Sequence, residues 1–354
     1  MTKKACYSYT LIIMRNDMMQ LIEQATNNIG DILSTCLQFQ DNGDSKALIV
    51  FDTQNGLTQI ITQAYRNVLP NAKFIDFDKL SKEQVIAEFE LMKPNDLVVQ
   101  VQSMNFRLDD FRIRLHLFNQ NLKVIEHLHL QRNKEEVWDV YVDSLSYDPN
   151  WYRVVGPKLQ HTLINTNILE IFSKDAVLMV TGGLEIPKPN LGDYTGMENI
   201  GGTFPIGEVF TEAKDFANMN GSVYIYAFAD KEFNIDMHKP FRIDIENGIV
   251  VGYADDAPQM FVEVYEAVKT LERPLIREIG FGLNRSMTKE RYLGDITAFE
   301  RILGLHLSMG EKHSVYKKEG IIAKKSRFHV DLFLATDKVL SDGKVFFENG
   351  KYKV

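Results

Sequence analysis

The segment Ala47-Leu-Ile-Val-Phe-Asp52 decides the fold class of the N-terminal part of the chain, because it is the first of several short β-branched runs separated by helix-length amphipathic segments. The later strand-like runs are 73–77, 96–102 and 123–130, and the helix-like segments are 56–68, 81–93 and 108–119. This alternation is typical of a parallel sheet with crossover helices. We therefore predict an α/β domain over residues 1–150.

The strand-to-helix joints of this domain contain no glycine-rich phosphate loop. None of them has the form G-x-G-x-x-G or G-x-x-x-x-G-K, the patterns in which backbone amides bind phosphate groups. A nucleotide site has no support here. We expect this domain to shape a cleft or to bind a partner.

After Asn150 the sequence changes in character. A connecting helix is predicted at 157–173, and short alternating strands with glycine turns follow, among them a hairpin at Glu246-Asn-Gly248 and strands on both sides of Asp342-Gly343. A further helix is predicted at 258–271. These features predict an α+β domain over residues 151–354, which the constellations described below make the metal-binding domain.

Composition excludes several classes of protein. The chain of 354 residues is 45% hydrophobic and 25% charged, as in ordinary globular proteins. Its net charge of −8 and the lack of a dense Lys/Arg face argue against a nucleic-acid partner. No apolar run approaches the roughly 20 residues that cross a bilayer, so no membrane partner is expected. Two cysteines, Cys6 and Cys36, outside any C-x-x-C pattern favour a reducing compartment, and we expect a cytoplasmic protein.

The segment Ser326-Arg-Phe-His329-Val-Asp331 contains the most specific pattern for chemistry. Alternate residues of a strand point to the same face, so His329 and Asp331 project together. This geometry suits two ligands of one metal ion. A polar pair facing solvent on an amphipathic strand is the alternative.

Two further constellations lie upstream. Glu278 lies in a run typical of a buried strand, where a carboxylate needs a counter-charge or a metal. Alternation places the adjacent Arg277 on the opposite face, which predicts a metal or a distant cation as the partner of Glu278; a solvated edge strand is the alternative. His306 lies in an apolar, glycine-bounded segment near Glu300 and is either a metal ligand or a satisfied core histidine.

A fourth constellation is the stretch 199–211, Asn-Ile-Gly-Gly-Thr-Phe-Pro-Ile-Gly-Glu-Val-Phe-Thr. Its glycine pair and Pro205 predict an irregular loop with Glu208 at the far end, and loops on a rigid scaffold often have functional roles. An ordinary loop glutamate is the alternative.

Together the constellations supply four carboxylates and two imidazoles. This inventory matches a two-metal hydrolytic site in which a shared water becomes hydroxide. Mixed oxygen and nitrogen ligands suit Zn, Co or Mn, and the lack of cysteine ligands argues against an iron–sulfur cluster.

The order of these motifs resembles that of the metal-dependent aminopeptidases of the aminopeptidase T and aminopeptidase S group. The family pattern N-I-P-x-E-E-V-F-T resembles residues 202–211, and E-x-x-x-G-x-N resembles 278–284. The pattern D-E-x-x-x-x-H-I-A-x-G resembles 299–310, and S-x-x-H-x-D resembles 326–331. The resemblance extends from about residue 201 to the C-terminus.

This resemblance implies a metallo-aminopeptidase, a hydrolase that removes N-terminal residues from peptides and forms a homodimer. The metal ligands that it implies are Glu208, Glu278, His306, His329 and Asp331, with Glu300 as a ligand or general base. We expect two divalent ions, with Glu208 or Glu300 moving the proton to the leaving amine.

The chain departs from the family pattern at three places. Gly207 replaces the first of two glutamates, and one extra residue separates Glu300 from His306. His313 stands where the family has a tyrosine, with Tyr316 nearby. Imidazole can donate a proton or bind a metal, so His313 is a further candidate catalytic residue.

Two alternative functions remain open at the level of sequence. The chain also resembles 2,5-dihydroxypyridine dioxygenase, whose iron lies on two histidines and an aspartate; His329 and Asp331 match, but Glu278 stands in place of the other histidine. A non-catalytic member that acts as a binding protein is the third possibility.

Overall fold

The computed structural model describes residues 3–41, 45–230, 232–311, 316, 318 and 327–354, with side chains from residue 17 onward. It divides into two compact units. Unit 1 contains residues 1–148, 192–206 and 289–293, and unit 2 contains residues 149–191, 207–288 and 294–354. The chain thus passes between the units more than once, whereas the sequence analysis placed a single boundary at residue 150.

Unit 1 contains a parallel sheet with helices. Its strands are β1 (Ala47–Phe51), β2 (Lys73–Asp76), β3 (Leu97–Val101), β4 (Lys123–His127) and β8 (Ile200–Phe204). Its helices are α1 (Lys3–Asp31), α2 (Gly56–Val68), α3 (Lys82–Glu90), α4 (Ile113–Asn119) and α5 (Trp138–Ser144). All strand pairs in the order β2-β1-β3-β4-β8 are parallel. The predicted parallel sheet is confirmed. In the part of the chain that the structure describes, no helix is both long enough and apolar enough to cross a bilayer.

Local sequence signals explain how the helices of unit 1 begin and pack. Ser81 and Gln84 form a capping box at the start of α3, which satisfies two backbone amides. Phe89 of α3 and Leu117 of α4 are buried in one apolar cluster with strand residues such as Val98. Helix α4 begins five residues later than predicted, because Leu108 and Phe111 form an isolated bridge instead.

Unit 2 is built on a large antiparallel sheet. Its helices are α6 (Pro149–Asn165), α7 (Gln259–Leu271) and α8 (Ile296–Phe299). Its strands are β5 (Ile168–Ser173), β6 (Ala176–Thr181), β7 (Lys188–Asn190), β9 (Glu208–Thr211), β10 (Met219–Ala229), β11 (Ile235–Glu246), β12 (Ile249–Tyr253), β13 (Ile276–Gly282), β14 (Gly304–Met309), β15 (Val330–Leu334), β16 (Lys338–Ser341), β17 (Lys344–Glu348) and β18 (Lys351–Tyr352). The main order is β18-β17-β16-β5-β6-β10-β15-β14-β13-β9-β7, with β11 on β10 and β12 on β11.

The turn predictions in unit 2 are confirmed. Asn247 and Gly248 have φ angles of 52° and 75° between β11 and β12. Asp342 and Gly343 have φ angles of 48° and 79° between β16 and β17. Positive φ at both central residues is the backbone of the tight hairpin turn that the sequence pattern indicates.

Two predicted elements are wrong. The helix expected at 157–173 is instead α6, which ends at Asn165, followed by β5 with alternating burial. Pro157, at which the predicted helix begins, lies inside α6 and not at its start, although proline is common at the first position of a helix. The stretch 199–211 is not one irregular loop, since it contains β8 and β9. Gly201, with φ of 108°, is required because a Cβ there would lie 1.9 Å from the carbonyl oxygen of Val124 on β4.

A buried histidine lies at the end of β4 in unit 1. The hydroxyl of Tyr65 lies 2.9 Å from His127 Nε2, and that of Tyr141 lies 2.8 Å from Nδ1. The Tyr141 hydroxyl also donates to the carbonyl oxygen of Phe204 at 3.4 Å. Burial lowers the pKa of His127 from its ordinary value near 6.5 to about 3. The folded chain therefore keeps this ring neutral.

We expect His127 to make the protein less stable in acid. The unfolded chain protonates the ring near pH 6.5, whereas the folded chain resists protonation down to about pH 3. Within this window the unfolded state binds more protons, so the free energy of unfolding falls by about 1.4 kcal/mol for each unit that the pH decreases. Urea unfolding of wild type and His127→Gln from pH 7.5 to 5.0 measures this contribution, since the variant lacks it.

The control for this experiment is Tyr141→Phe. That variant loses a hydroxyl but keeps the titrating ring, so its stability should be lower at every pH by about 1 kcal/mol while the pH slope stays that of wild type. Equal slopes in wild type and His127→Gln would contradict the prediction.

Candidate metal centre

The register of three strands in unit 2 places the candidate ligands on one face of the sheet. Glu278 on β13 lies opposite Ser308 on β14, and Ser308 lies opposite Asp331 on β15. His306 is two residues before Ser308 and therefore points to the same face. It lies opposite Gly280 of β13.

Two glycines of β13 make room for this cluster. A Cβ on Gly280 would lie 2.1 Å from Cε1 of His306, so only glycine lets the imidazole ring lie across the strand. A Cβ on Gly282 would lie 1.8 Å from the carbonyl oxygen of Ile302. Glycine there lets the backbone that follows α8 approach β13, where the amide of Asn284 donates to the carbonyl oxygen of Arg301 at 2.8 Å.

Glu208, Glu278 and His306 form a buried group of potential metal ligands. One ligand atom from each lies within 4.8 Å of the others. His306 Nε2 lies 3.3 Å from Glu208 Oε1 and 3.8 Å from Glu278 Oε1. Among the described residues, neither His306 Nε2 nor Glu208 Oε1 has a partner with hydrogen-bond geometry. Buried polar atoms without such partners are costly, and an ion about 2 Å from each would satisfy them. The donor set therefore fits a divalent metal.

A second group contains Glu300, His306 and Asp331, again with ligand atoms within 4.8 Å. Its carboxylates are already engaged. Asp331 Oδ1 accepts the Ser308 hydroxyl at 2.5 Å and lies 3.0 Å from His329 Nε2, while Glu300 Oε1 lies 2.7 Å from Arg301. His306 belongs to both groups, so one imidazole nitrogen cannot serve two ions at the same time.

The side chain of Arg277 points to the same face of the sheet as the cluster. The prediction that it points to the face opposite Glu278 is therefore wrong. The register of β13 against β14 shifts between Ile276 and Glu278, as in a β-bulge, which re-aims the intervening side chain. Its guanidinium donates to His329 Nδ1 at 2.5 Å and to the carbonyl oxygen of Glu311 at 3.1 Å. Because a guanidinium only donates, His329 Nδ1 accepts, and the other ring nitrogen faces Asp331.

Arg301 is a member of the cluster that the sequence reasoning missed. It follows Glu300 directly at the end of α8, and its side chain is buried. Nη1 contacts Oε2 of Glu208 and also Oε1 of Glu300. The charged pair Glu300-Arg301 between Phe299 and Ile302 was the available signal, since a buried arginine requires anionic partners.

The pKa values of the two carboxylates that contact Arg301 are shifted in opposite directions. Burial raises the pKa of Glu300 to about 8, and the nearby charges of Glu208 and Asp331 add to the rise although Arg301 opposes it. Burial also acts to raise the pKa of Glu208, but Arg301 and His306 outweigh it and hold that pKa below its ordinary value. Burial acts to lower the pKa of His306, yet Glu208 and Glu278 hold it well above the ordinary value. An ion that binds Nε2 would therefore displace a proton from this ring.

The structure brings most of the residues singled out in the sequence into one place. They are Glu208, Glu278, Glu300, His306, His329 and Asp331, although His329 lies beside Asp331 and in neither three-ligand group found among the described residues. The extra residue between Glu300 and His306 does not separate them. His313 lies outside the described residues. The hydroxyl of Tyr316 donates to the carbonyl oxygen of Ile186 at 2.9 Å.

The backbone accounts for the departure at Gly207. Its φ angle is 120°, and a Cβ there would lie 2.9 Å from Cε1 of Tyr152. A residue with a side chain would be strained at this position. The carboxylate that the family pattern places here therefore has no counterpart, and Glu208 alone reaches the cluster from this segment.

Comparison with known proteins shows similarity at the level of fold. No known protein family and no curated protein matches the sequence. Two of the similar solved structures each have a TM-score of 0.63. The 2,5-dihydroxypyridine dioxygenase from Pseudomonas putida KT2440 is 13% identical, over 95% of this chain and 97% of that one. Wild-type AmpT, an aminopeptidase T from Thermus thermophilus, is 11% identical, over 94% of this chain and 99% of that one. The chain therefore has the fold that this aminopeptidase and this dioxygenase share.

Proposed function

We propose that this chain is a metal-dependent aminopeptidase that hydrolyses the N-terminal peptide bond of peptides. The observation that supports it most is the buried group of Glu208, Glu278 and His306, in which Glu208 Oε1 and His306 Nε2 have no hydrogen-bond partner among the described residues. Two carboxylates and one imidazole supply three oxygen and nitrogen donors of the types that zinc accepts. The aminopeptidase among the similar folds agrees with this reading.

The proposed chemistry divides among the side chains of the cluster. Glu208, Glu278 and His306 would hold a divalent ion, which supplies Lewis-acid activation of water and of the scissile carbonyl. The Ser308 hydroxyl lies 2.5 Å from Oδ1 of Asp331 and 3.3 Å from Oε1 of Glu278, and its single hydrogen is shared between these two carboxylates. Asp331 is the anionic group proposed to bind the free amine of the substrate, which restricts cleavage to the N-terminal residue.

Glu300 is the proposed general base and acid. Its pKa near 8 lies close to neutrality, the range in which a carboxyl both accepts and returns a proton. Arg301 holds Oε1 of this carboxyl, so the proton is carried on the other oxygen. Glu300 takes it from the attacking water and delivers it to the leaving amine. Glu208, whose pKa is lowered, stays ionised as a ligand.

A ring-cleaving iron dioxygenase is the second candidate function. The dioxygenase fold matches the chain as well as the aminopeptidase fold does, and His329 lies beside Asp331. Oxygen-activating iron requires two histidines and one carboxylate. The group with unsatisfied ligand atoms instead has one histidine and two carboxylates, which favours hydrolysis.

We expect metal-dependent release of N-terminal residues from aminoacyl chromogens. Protein purified without chelator is analysed for bound metals, then stripped and reloaded with Zn²⁺, Co²⁺ or Mn²⁺ before the assay. Removal of the metal should lower the rate at least 100-fold, because the ion supplies several kcal/mol of transition-state stabilisation. The matched substrate is the same compound with an acetylated amine, which should not be cleaved.

The outcomes of this assay separate the candidate functions. Hydrolysis that depends on metal and on a free amine supports the aminopeptidase. Bound iron without hydrolysis contradicts it in favour of the dioxygenase, and a chain that takes up no metal contradicts both in favour of a binding protein. The proposed assembly is a homodimer and the proposed substrate a peptide.

A further inference from the structure

The buried guanidinium of Arg301 occupies a position between two carboxylates. Its Nη1 contacts Glu208 and lies 2.7 Å from Glu300, and the side chain is 8% exposed. A guanidinium presents several donors in one plane and keeps its charge when buried. It can therefore contact two carboxylates at once, as a bridging metal ion does, while supplying one positive charge.

The two oxygens of Glu208 have different partners. Oε2 contacts Arg301, whereas Oε1 faces His306 Nε2 at 3.3 Å without hydrogen-bond geometry. A carboxylate that bridges two metal ions needs one oxygen for each. In this chain one of these oxygens is already held by a protein cation.

The carboxylates of the second ligand group also have protein partners already. Its three members are Glu300, which is held by Arg301, His306, which is shared with the first group, and Asp331, which is held by Ser308 and His329. Of the carboxylate oxygens in the two groups, Glu208 Oε1 is the one that is buried without a hydrogen-bond partner among the described residues.

We propose that Arg301 is a resident cation that takes the place of a second metal ion, so that the site holds one divalent ion on Glu208, Glu278 and His306. This inference rests on the metal dependence in the proposed function and replaces the two ions that the sequence predicts. Arg301 acts here through the ligands that it holds and is a positioning residue.

Metal stoichiometry tests the proposal without reference to activity. Metal-free protein is equilibrated with Co²⁺ at a concentration well above the dissociation constant and dialysed, and bound cobalt per chain is measured by elemental analysis. Wild type should bind one equivalent. Arg301→Gln frees Glu300 and one oxygen of Glu208, so it should bind two. Arg301→Lys keeps the positive charge and should bind one.

A matched control tests whether losing the arginine partner of any buried carboxylate is enough to increase the amount of bound cobalt. Arg273 makes two hydrogen bonds to Oε1 of the buried Glu311, at 3.1 and 2.6 Å, outside the cluster. Arg273→Gln should keep one equivalent. Thermal unfolding with and without Co²⁺ shows whether each variant is folded, and Co²⁺ should raise the melting temperature of Arg301→Gln more than that of wild type.

Each outcome has a distinct meaning. Two equivalents of bound cobalt in wild type would contradict the proposal that Arg301 replaces a second metal ion, whether or not any variant folds. This result would leave the aminopeptidase proposal intact. One equivalent in a folded Arg301→Gln would also contradict the proposal about Arg301. No bound cobalt in wild type overturns the metal dependence itself. One equivalent in wild type without peptidase activity contradicts the proposed function and leaves the resident cation supported.

Discussion

Gly280→Ala should fold and yet bind Co²⁺ between 10 and 100 times more weakly than wild type, a loss of the size seen when groups that orient metal ligands are changed. The added Cβ would lie 2.1 Å from Cε1 and 2.2 Å from Nε2 of His306. Two atoms cannot approach so closely, so the imidazole has to leave its position over β13. Its Nε2 then no longer faces Glu208 and Glu278.

The measurement is a calorimetric titration of metal-free protein with Co²⁺. Overpacking should also lower the free energy of unfolding by about 1 to 3 kcal/mol. Gly252→Ala is the control, because Gly252 also lies in a strand of unit 2 and its Cβ would come no closer than 3.9 Å to Asp244. Wild-type affinity in Gly280→Ala would show that the position of His306 does not determine metal binding.

Glu278→Gln should remain folded while its hydrolytic rate falls at least 100-fold, equivalent to about 3 kcal/mol of activation free energy. Glutamine has the same shape, and its side-chain carbonyl can still accept the hydroxyl of Ser308, which lies 3.3 Å from Oε1 in wild type. The variant removes one of the two negative charges that face His306 in the first ligand group.

The rate is measured at saturating Co²⁺ on an aminoacyl chromogen, and the Co²⁺ dissociation constant is measured separately. Glu126→Gln is the matched control, since Glu126 is a buried carboxylate of unit 1 that pairs with Arg114. It should change stability and leave turnover near that of wild type. A Glu278→Gln variant with the wild-type rate would remove Glu278 from the site.

Periodicity in the sequence was sufficient for the elements that depend on local signals. The β-branched runs of unit 1 and the turn Asn247-Gly248 have such signals within a few residues. The error at 157–173 has a local cause as well, because Pro157 is a helix-start signal that α6 accommodates in its interior. The error at 199–211 has no such local cause. Gly201 was assigned to a loop, and only pairing with β4 reveals that it permits close approach of two strands.

The composition of the candidate site followed from residue type, but its charge arrangement did not. Acidic and histidine side chains at strand positions identified Glu278, His306 and Asp331 as candidates. The bulge that turns Arg277 toward His329 depends on the register of β13 with β14, which alternation alone cannot supply. The contact of Arg301 with Glu208 joins positions 93 residues apart, so the sequence offers no spacing from which to infer it.

Three of the candidate ligands lie on adjacent, hydrogen-bonded strands, namely Glu278 on β13, His306 on β14 and Asp331 on β15. The spacing between such strands is fixed at about 4.8 Å by backbone hydrogen bonds. The conformational entropy of bringing these ligands together is therefore lost when the sheet folds, and not when an ion enters. A ligand set held in this way adapts poorly to ions that require six or more oxygen ligands, such as Ca²⁺. The same pairing that builds the sheet thus also restricts which ions the chain can hold.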